Sequence, residues 1–233
     1  MPIHLHRQID KLKTMISRLA AMVEQHVTDA LAAVQDFDVE RARAVIDADD
    51  VIDRYELDIE EECLHTLALH QPVAFDMRYI IAILKINNEL ERIGDLAVNV
   101  ADQAQFLADE RQTTGPLPFN LEAMAAKARD MLRQSLDALV NVDPHLARRI
   151  CELDDEIDAI HGAMYDRVAS AIRDDVDKLE LYMHTLSVSR NLERIGDHAV
   201  NIAEDVLYIT EGDIFRHGGK PTPSQSGDDE LRR

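Results

Sequence analysis

The 233-residue sequence lacks Trp, has only two Cys, and contains just seven Pro and eight Gly. Two cysteines cannot build a disulfide framework, and Cys63 and Cys151 each fall in a helical pattern, so we expect both to be small, buried side chains. Aromatic residues make up 4% of the chain, which is otherwise rich in Ala, Leu, Asp, Glu and Arg. A chain so poor in turn residues and so rich in helix formers is predicted to be all-α.

Long apolar runs are also missing. No stretch approaches the length of a membrane-spanning helix, and residues 1–8 lack the apolar core of a secretory signal. The sequence therefore predicts no direct membrane insertion and a cytoplasmic location.

Positive charge is scarce. Against 45 Asp and Glu the chain has 25 Lys and Arg, which gives a formal net charge of −20. Such a surface is repelled by nucleic-acid phosphates and by an anionic lipid leaflet. The balance argues against nucleic-acid binding and favours cations, or partners that carry a basic patch, as ligands.

Apolar residues spaced by three and four along residues 9–33 predict one amphipathic helix of a bundle. His26 interrupts this seam, and we expect it to be a structural residue of the core or its edge. Further helix boundaries are predicted where capping, proline or acidic residues interrupt the pattern, at Phe37-Asp38, Gln71-Pro72 with Asp76 as the next cap, Asp143-Pro144, Asp174-Asp175 and Gly212. Six helices follow from these boundaries.

The strongest break in the middle of the chain is 113–118, which contains one Gly and two Pro. It separates two predicted three-helix bundles, residues 1–112 and 117–212. Residues 213–233 are polar and rich in breakers, and we expect them to form a disordered tail.

An internal repeat relates the two halves. The segment Leu90–Asp102 returns 102 residues later as Leu192–Glu204, and twelve of the thirteen positions are identical or conservatively exchanged. The one change in chemistry is Leu96, which is replaced by His198. Chance similarity between amphipathic helices explains this poorly, so we interpret the halves as duplicates that each pack as a three-helix bundle.

Four acidic pairs in these repeats have i,i+4 spacing, which places both carboxylates of a pair on one helix face. They are Glu91 and Asp95, Glu193 and Asp197, Asp49 and Asp53, and Asp154 and Asp158. Like charges at this distance repel, whereas carboxylates from two helices can surround a divalent cation. The spacing predicts one metal-binding patch in each half.

A solvated acidic face is the alternative interpretation, because Arg92 and Arg194 adjoin the carboxylates and could neutralise them. The recurrence of Gly94 and Gly196 beside the pairs favours a built site. A small residue in a helix allows another backbone to approach closely.

The duplicated Glu-Arg-Ile-Gly-Asp-x-Ala-x-Asn block resembles the PhoU family of bacterial phosphate-uptake regulators, and the resemblance covers nearly the whole chain. Residues 71–78 resemble the turn into the family's third helix, and 212–217 its ending. The resemblance implies two spectrin-like three-helix bundles, a homodimer, and multinuclear metal clusters on Glu/Asp-x-x-x-Asp motifs. The matching residues here are Glu91, Asp95, Glu193, Asp197, Asp49, Asp53, Asp154 and Asp158. Iron or zinc is the implied metal, and the spacing alone also allows magnesium or manganese.

The resemblance further implies a non-enzymatic adaptor that restrains phosphate uptake and phosphate-starvation signalling when phosphate is plentiful. Its implied partners are a sensor histidine kinase and the ATPase of a phosphate ABC transporter, which would hold it at the inner membrane. One departure from the family pattern is the second-half turn 174–177, which lacks the proline motif of 71–78. The two halves therefore need not bind partners equally.

The rival hypothesis is a carboxylate-bridged di-metal enzyme on a helical bundle. Glu62-x-x-His65 has the spacing that such sites use, but the second half offers only Asp158-x-x-His161, in a different part of the repeat. His198, beside Asp197, could supply a ligand or a base, yet no Ser or Cys nucleophile accompanies it. A purely structural bundle is the third hypothesis.

Overall fold

A computed structural model describes residues 3–114 and 121–212 of the chain. These residues form six α-helices and one short 3-10 helix, with no β-strand among them. The helices are α1 (Ile3–Asp36), α2 (Val39–His70), α3 (Ala74–Thr114), α4 (Glu122–Asn141), α5 (Pro144–Asp174) and α6 (Leu179–Glu211), and the 3-10 helix is Val176–Lys178. The predicted tail 213–233 and most of the predicted break 113–118 lie outside the described residues.

Side-chain caps fix the start of the middle helix in each half. The Asp38 carboxylate accepts a hydrogen bond from the backbone N–H of Arg41 at 3.0 Å, and this satisfies a donor that the first turn of α2 leaves unpaired. Asp143 accepts two such bonds at the start of α5, where Pro144 occupies the first turn. Both starts agree with the sequence prediction.

The third helix begins earlier than predicted. Asp76 does not cap it, because α3 already starts at Ala74 and Asp76 lies within the first turn. A carboxylate in that turn still interacts favourably with the positive end of the helix dipole. Gln71 ends α2 in the left-handed conformation, at φ 45°. The C-terminal end of α6 is as expected, with Gly212 at φ 79°.

The helices form two three-helix bundles, as the sequence predicts. Helices α1, α2 and α3 contact one another, and so do α4, α5 and α6. The two bundles join mainly through α3 and α6, the helices that carry the repeated segment, and α1 also contacts α4. One apolar core runs through both halves, with residues such as Leu12, Ile59 and Ile93 in the first and Ile157 and Ile195 in the second. The limits 1–112 and 117–212 stay a prediction.

The repeated glycines bring neighbouring helices together, but the group that packs on each is a side chain and not the backbone we expected. A Cβ atom added at Gly94 would lie 3.4 Å from Cγ2 of Ile52 on α2. One added at Gly196 would lie 3.2 Å from two carbons of Ile157 on α5. The glycines thus hold α2 against α3, and α5 against α6, beside the acidic pairs.

This packing predicts that alanine acts differently at two helical glycines. Gly162 has no atom within 4 Å of an added Cβ. Gly162→Ala should therefore raise the free energy of unfolding by about 0.5–1 kcal/mol, through helix propensity alone. Gly196→Ala should give no gain or a loss, because the Ile157 carbons must move. Denaturant unfolding measures both, and equal stabilisation by the two variants would contradict the packing described here.

Candidate metal centre

The four acidic residues predicted in the first half converge on one place. Helix α2 supplies Asp49 and Asp53, and α3 supplies Glu91 and Asp95; we call this group the first cluster. Burial, followed by repulsion from Asp53 and Asp95, raises the pKa of Asp49 to about 6. Burial, followed by repulsion from Asp95 and Asp53, also raises the pKa of Glu91. The carboxylates of the two helices therefore face each other.

The second half repeats the arrangement with Asp154 and Asp158 on α5 and Glu193 and Asp197 on α6, which we call the second cluster. One oxygen atom each of Asp154, Asp158 and Asp197 can be chosen so that all three lie within 4.8 Å of one another. Burial and then neighbouring carboxylates raise the pKa of Asp154 and of Asp197 to about 6. Among the described residues, the first cluster does not bring three such atoms equally close.

Each cluster contains one buried carboxylate oxygen that has no hydrogen-bond partner. These atoms are Oδ1 of Asp49 and Oδ1 of Asp154, which occupy equivalent positions in the two halves. A buried polar atom left unsatisfied costs about 1–3 kcal/mol, and more if the group is charged. A cation bound between the helices would remove that penalty and the repulsion together.

Arginine does not neutralise the clusters. Arg92 is exposed, and its ion pair is with Glu89, at 3.8 Å, outside the cluster. In the part of the chain that the structure describes, none of the eight cluster carboxylates forms an ion pair with Lys or Arg. The nearby charge of Arg194 lowers the pKa of Asp197 only as a minor effect against burial and repulsion. Four of the eight carboxylate residues, Asp53, Asp95, Asp158 and Asp197, are exposed to solvent, but these arginines do not form ion pairs that balance them.

Two residues that we did not predict extend the first cluster. His26 on α1 is buried, with 6% of its surface exposed, and its Nε2 atom lies 3.6 Å from Oδ1 of Asp49. Burial lowers the pKa of His26, although the charge of Asp29 opposes this, and the lowered pKa favours the neutral ring. Glu56 follows two turns after Asp49 on the same face of α2. Burial raises its pKa, as do the charges of Glu60 and Asp53.

The sequence carried weak signals for both residues. His26 is the one polar residue in an otherwise apolar seam. Glu56 is seven residues after Asp49, which is nearly two full helix turns. Glu56 accepts a hydrogen bond from Asn87 at 2.9 Å, and the equivalent pair in the second half is His161 with Ser189, also at 2.9 Å.

The groups of the di-metal enzyme hypothesis do not assemble. Glu62 pairs with Lys11 at 2.5 Å, and His65 is exposed. His161 is held by Ser189. Within residues 3–114 and 121–212, no two Glu-x-x-His motifs face each other across the bundle.

His198 turns away from the second cluster and bridges the two bundles. Its Nδ1 atom lies 2.6 Å from Oε2 of Glu89 on α3, and Asn201 donates to the same oxygen at 2.9 Å. Burial alone would raise the pKa of Glu89, but these hydrogen bonds lower it below its usual value. Lys85 and Asp205 form a second bridge at 2.7 Å. The replacement of Leu96 by His198 therefore serves the contact between the halves.

Comparison with known proteins now identifies the family. The family model described as the PhoU domain matches the chain twice, over residues 16–104 and 121–206. The chain belongs to the PhoU family. The two matches correspond to the two bundles, which confirms the resemblance and the duplication.

Curated relatives cover almost the whole chain. The PhoU homolog 1 of Thermotoga maritima, named a phosphate-specific transport system accessory protein, is 34% identical over 210 residues, which are 90% of each chain. The Aquifex aeolicus homolog with the same description is 35% identical over 91% of this chain and 96% of its own. The family is thus one of transport accessory proteins, which confirms at family level the expected non-enzymatic role.

Solved structures share the fold. The crystal structure of PhoU from Pseudomonas aeruginosa superposes with a TM-score of 0.85, at 33% identity, over 89% of this chain and 99% of that one. The crystal structure of the phosphate transport system regulatory protein PhoU from Streptococcus pneumoniae superposes with a TM-score of 0.82, at 24% identity, over 91% of this chain and 100% of that one. Over the residues described here, no helix is long and apolar enough to cross a membrane.

Raised pKa values predict that the metal-free protein is destabilised by its own second cluster. A carboxyl whose pKa is raised in the fold binds more protons there than in the unfolded chain, so stability falls as the pH rises from about 4 to about 6. A double variant that carries both Asp154→Asn and Asp197→Asn should therefore have a higher Tm than the wild type when both are treated with chelator at pH 7.5. The expected increase is about 2 °C, a modest value because solvent screens the charges.

The same double variant should show a smaller rise in Tm with zinc or manganese than the wild type, since its second cluster has lost two ligands while its first cluster is intact. Asp166→Asn, an exposed residue of α5, is the matched control and should behave like the wild type. Thermal unfolding with and without metal measures all three proteins. A double variant that is less stable than the wild type without metal would contradict the repulsion described here.

Proposed function

We propose that this chain is a metal-binding, non-enzymatic regulator of phosphate uptake and phosphate-starvation signalling, acting when phosphate is plentiful. The names of its relatives, which describe accessory proteins of a phosphate-specific transport system, support the physiological setting. The observation that carries the metal-binding part is the pair of equivalent clusters, each with a buried carboxylate oxygen that lacks a hydrogen-bond partner.

The residues present fit a metal ion. Carboxylates from α2 and α3 would hold it in the first cluster, and carboxylates from α5 and α6 in the second. Oxygen donors of this kind suit iron, manganese, magnesium and zinc, and we propose iron or zinc as the occupants. Bound there, the cation supplies positive charge that links two helices of each bundle. The carboxylates orient those helices, and the glycine contacts keep them close.

Partner binding follows from charge and from exposed apolar side chains. With a net charge of −20, the protein suits basic surfaces on a sensor histidine kinase and on the ATPase of a phosphate ABC transporter. The turn between α2 and α3 and the start of α3 also expose Val73, Phe75 and Met77, each by about half or more, which is the kind of surface that partners cover. We propose that the protein works as a homodimer in the cytoplasm, held at the inner membrane by these partners.

A cellular experiment tests whether the cluster carboxylates are needed for regulation. The gene should restore repression of a phosphate-starvation reporter, in high phosphate, to bacteria that lack their own copy. A variant carrying Glu91→Gln, Asp95→Asn, Glu193→Gln and Asp197→Asn should fail to repress, because neither cluster retains its ligands from α3 and α6. Reporter activity and phosphate uptake are the readouts.

The matched control changes the same number of Asp and Glu residues at exposed helix positions outside the clusters. It carries Asp58→Asn, Glu61→Gln, Asp166→Asn and Glu180→Gln. This control should repress like the wild type. Full repression by the cluster variant would show that the clusters are dispensable, as a purely structural bundle requires. Recovery of neither kinase nor ATPase from membranes, with or without phosphate, would contradict the partner assignment.

A further inference from the structure

The two clusters are not chemically equivalent, because α1 and α4 present different residues to them. The halves are related by an offset of 105 residues at the ends of these helices, Asp36 and Asn141, and at the N-caps that follow them, Asp38 and Asp143. With that offset His26 of α1 corresponds to Met131 of α4. Both side chains are buried, and Met131 lies beside Gly196, with its Cε atom 3.5 Å from an added Cβ.

The Nε2 atom of His26 faces the first cluster and makes no hydrogen bond. Its side chain is 5% exposed, and Nε2 is a buried nitrogen with no hydrogen-bond partner. The atom that it faces, Oδ1 of Asp49, is likewise buried and unpartnered, at 3.6 Å. That separation is too long for a normal hydrogen bond. Two donors bound to one zinc or iron ion at about 2.0–2.2 Å can lie up to about 4.4 Å apart, so both atoms can reach the same ion.

An approach route is also present. A groove of about 710 Å³ lies between α1 and α2, with Ala48 and Ile52 along one side and His26 in its wall. The groove reaches the ring of His26, and Asp49, the residue after Ala48 in α2, has a side chain that is 21% exposed. The first cluster therefore lies beside a groove that is open to solvent.

We propose that His26 is a nitrogen ligand of the metal held by the first cluster. This rests on the proposed function, since it presumes that the clusters bind metal. Imidazole nitrogen favours zinc and iron(II), whereas sets of carboxylates alone also suit magnesium and manganese. The first cluster is then a mixed nitrogen and oxygen site selective for zinc or iron(II). In the second cluster Met131 replaces the imidazole and His161 is bound to Ser189, so that site uses oxygen ligands and discriminates less between metals.

The first measurement follows the Nε2 resonance of His26 by NMR, in protein that retains this histidine. In protein labelled with ¹⁵N-histidine and carrying Asp154→Asn with Asp197→Asn, only the first cluster can bind zinc. Addition of Zn²⁺ should move the Nε2 resonance of His26 from the position of a free imidazole nitrogen to that of a metal-bound one. His26→Met assigns the resonance by its loss, and the exposed His65 should not shift.

The second measurement compares the affinities for Zn²⁺ and Mn²⁺ with and without His26. In the same background, His26→Met should weaken Zn²⁺ binding about 10–100-fold, the range seen when groups around a metal are removed. Mn²⁺ binding should change by less than about threefold, because manganese prefers the carboxylates. His65→Met is the matched control and should alter neither. Isothermal titration calorimetry with each metal alone gives the two constants.

Three results would overturn the proposal. If Zn²⁺ binds but the Nε2 resonance stays in place, His26 only packs beside Asp49, and metal binding by the carboxylates still stands. The same conclusion follows if His26→Met lowers the Tm yet weakens Zn²⁺ and Mn²⁺ equally. If this background and the wild type bind neither metal, the proposed function fails together with the role of His26.

Discussion

Repulsion between carboxylates that the fold forces together is the constraint on which this structure depends. The side chains of Ile52 and Ile157 pack onto Gly94 and Gly196, and this apolar contact draws α2 to α3 and α5 to α6. The acidic pairs lie on the same faces, so their charges cannot separate without loss of the packing. Hydrophobic burial outweighs both the desolvation of these carboxylates and their mutual repulsion, and that cost appears as raised pKa values at Asp49, Asp154 and Asp197. A bound cation would turn this cost into a link between helices.

The contact between the halves gives the two clusters a mechanical connection. Helices α3 and α6 each carry two carboxylates of a cluster on one face and pack against each other through Glu89, His198 and Asn201. Glu89 is two residues from Glu91, and His198 adjoins Asp197. A cation bound at either cluster would therefore act on helices that share one interface, an arrangement that suits a regulator.

Much of this arrangement could be predicted because the duplication places the same motifs in both halves of the chain. Composition and apolar periodicity predicted the all-α fold, the repeated segment predicted the two bundles, and the i,i+4 acidic pairs predicted the eight residues that converge. Other features depend on which elements meet in space, and spacing along one helix cannot give that. The approach of His26 to Asp49, from α1 to α2, is one example. The bridge from His198 to Glu89, across 109 residues, is another. The prediction that Asp76 caps α3 was wrong because sequence patterns locate the first residue of a helix only to within one or two positions.

Metal content measured cluster by cluster tests the central claim most directly. The protein would be purified without a tag or chelator, and its metals quantified by elemental analysis beside two variants. One variant carries Asp49→Asn, Glu91→Gln and Asp95→Asn, and the other carries Asp154→Asn, Glu193→Gln and Asp197→Asn. The account predicts that the wild type holds iron or zinc and that each variant loses only the share of its own cluster. Equal metal content in all three proteins would contradict it.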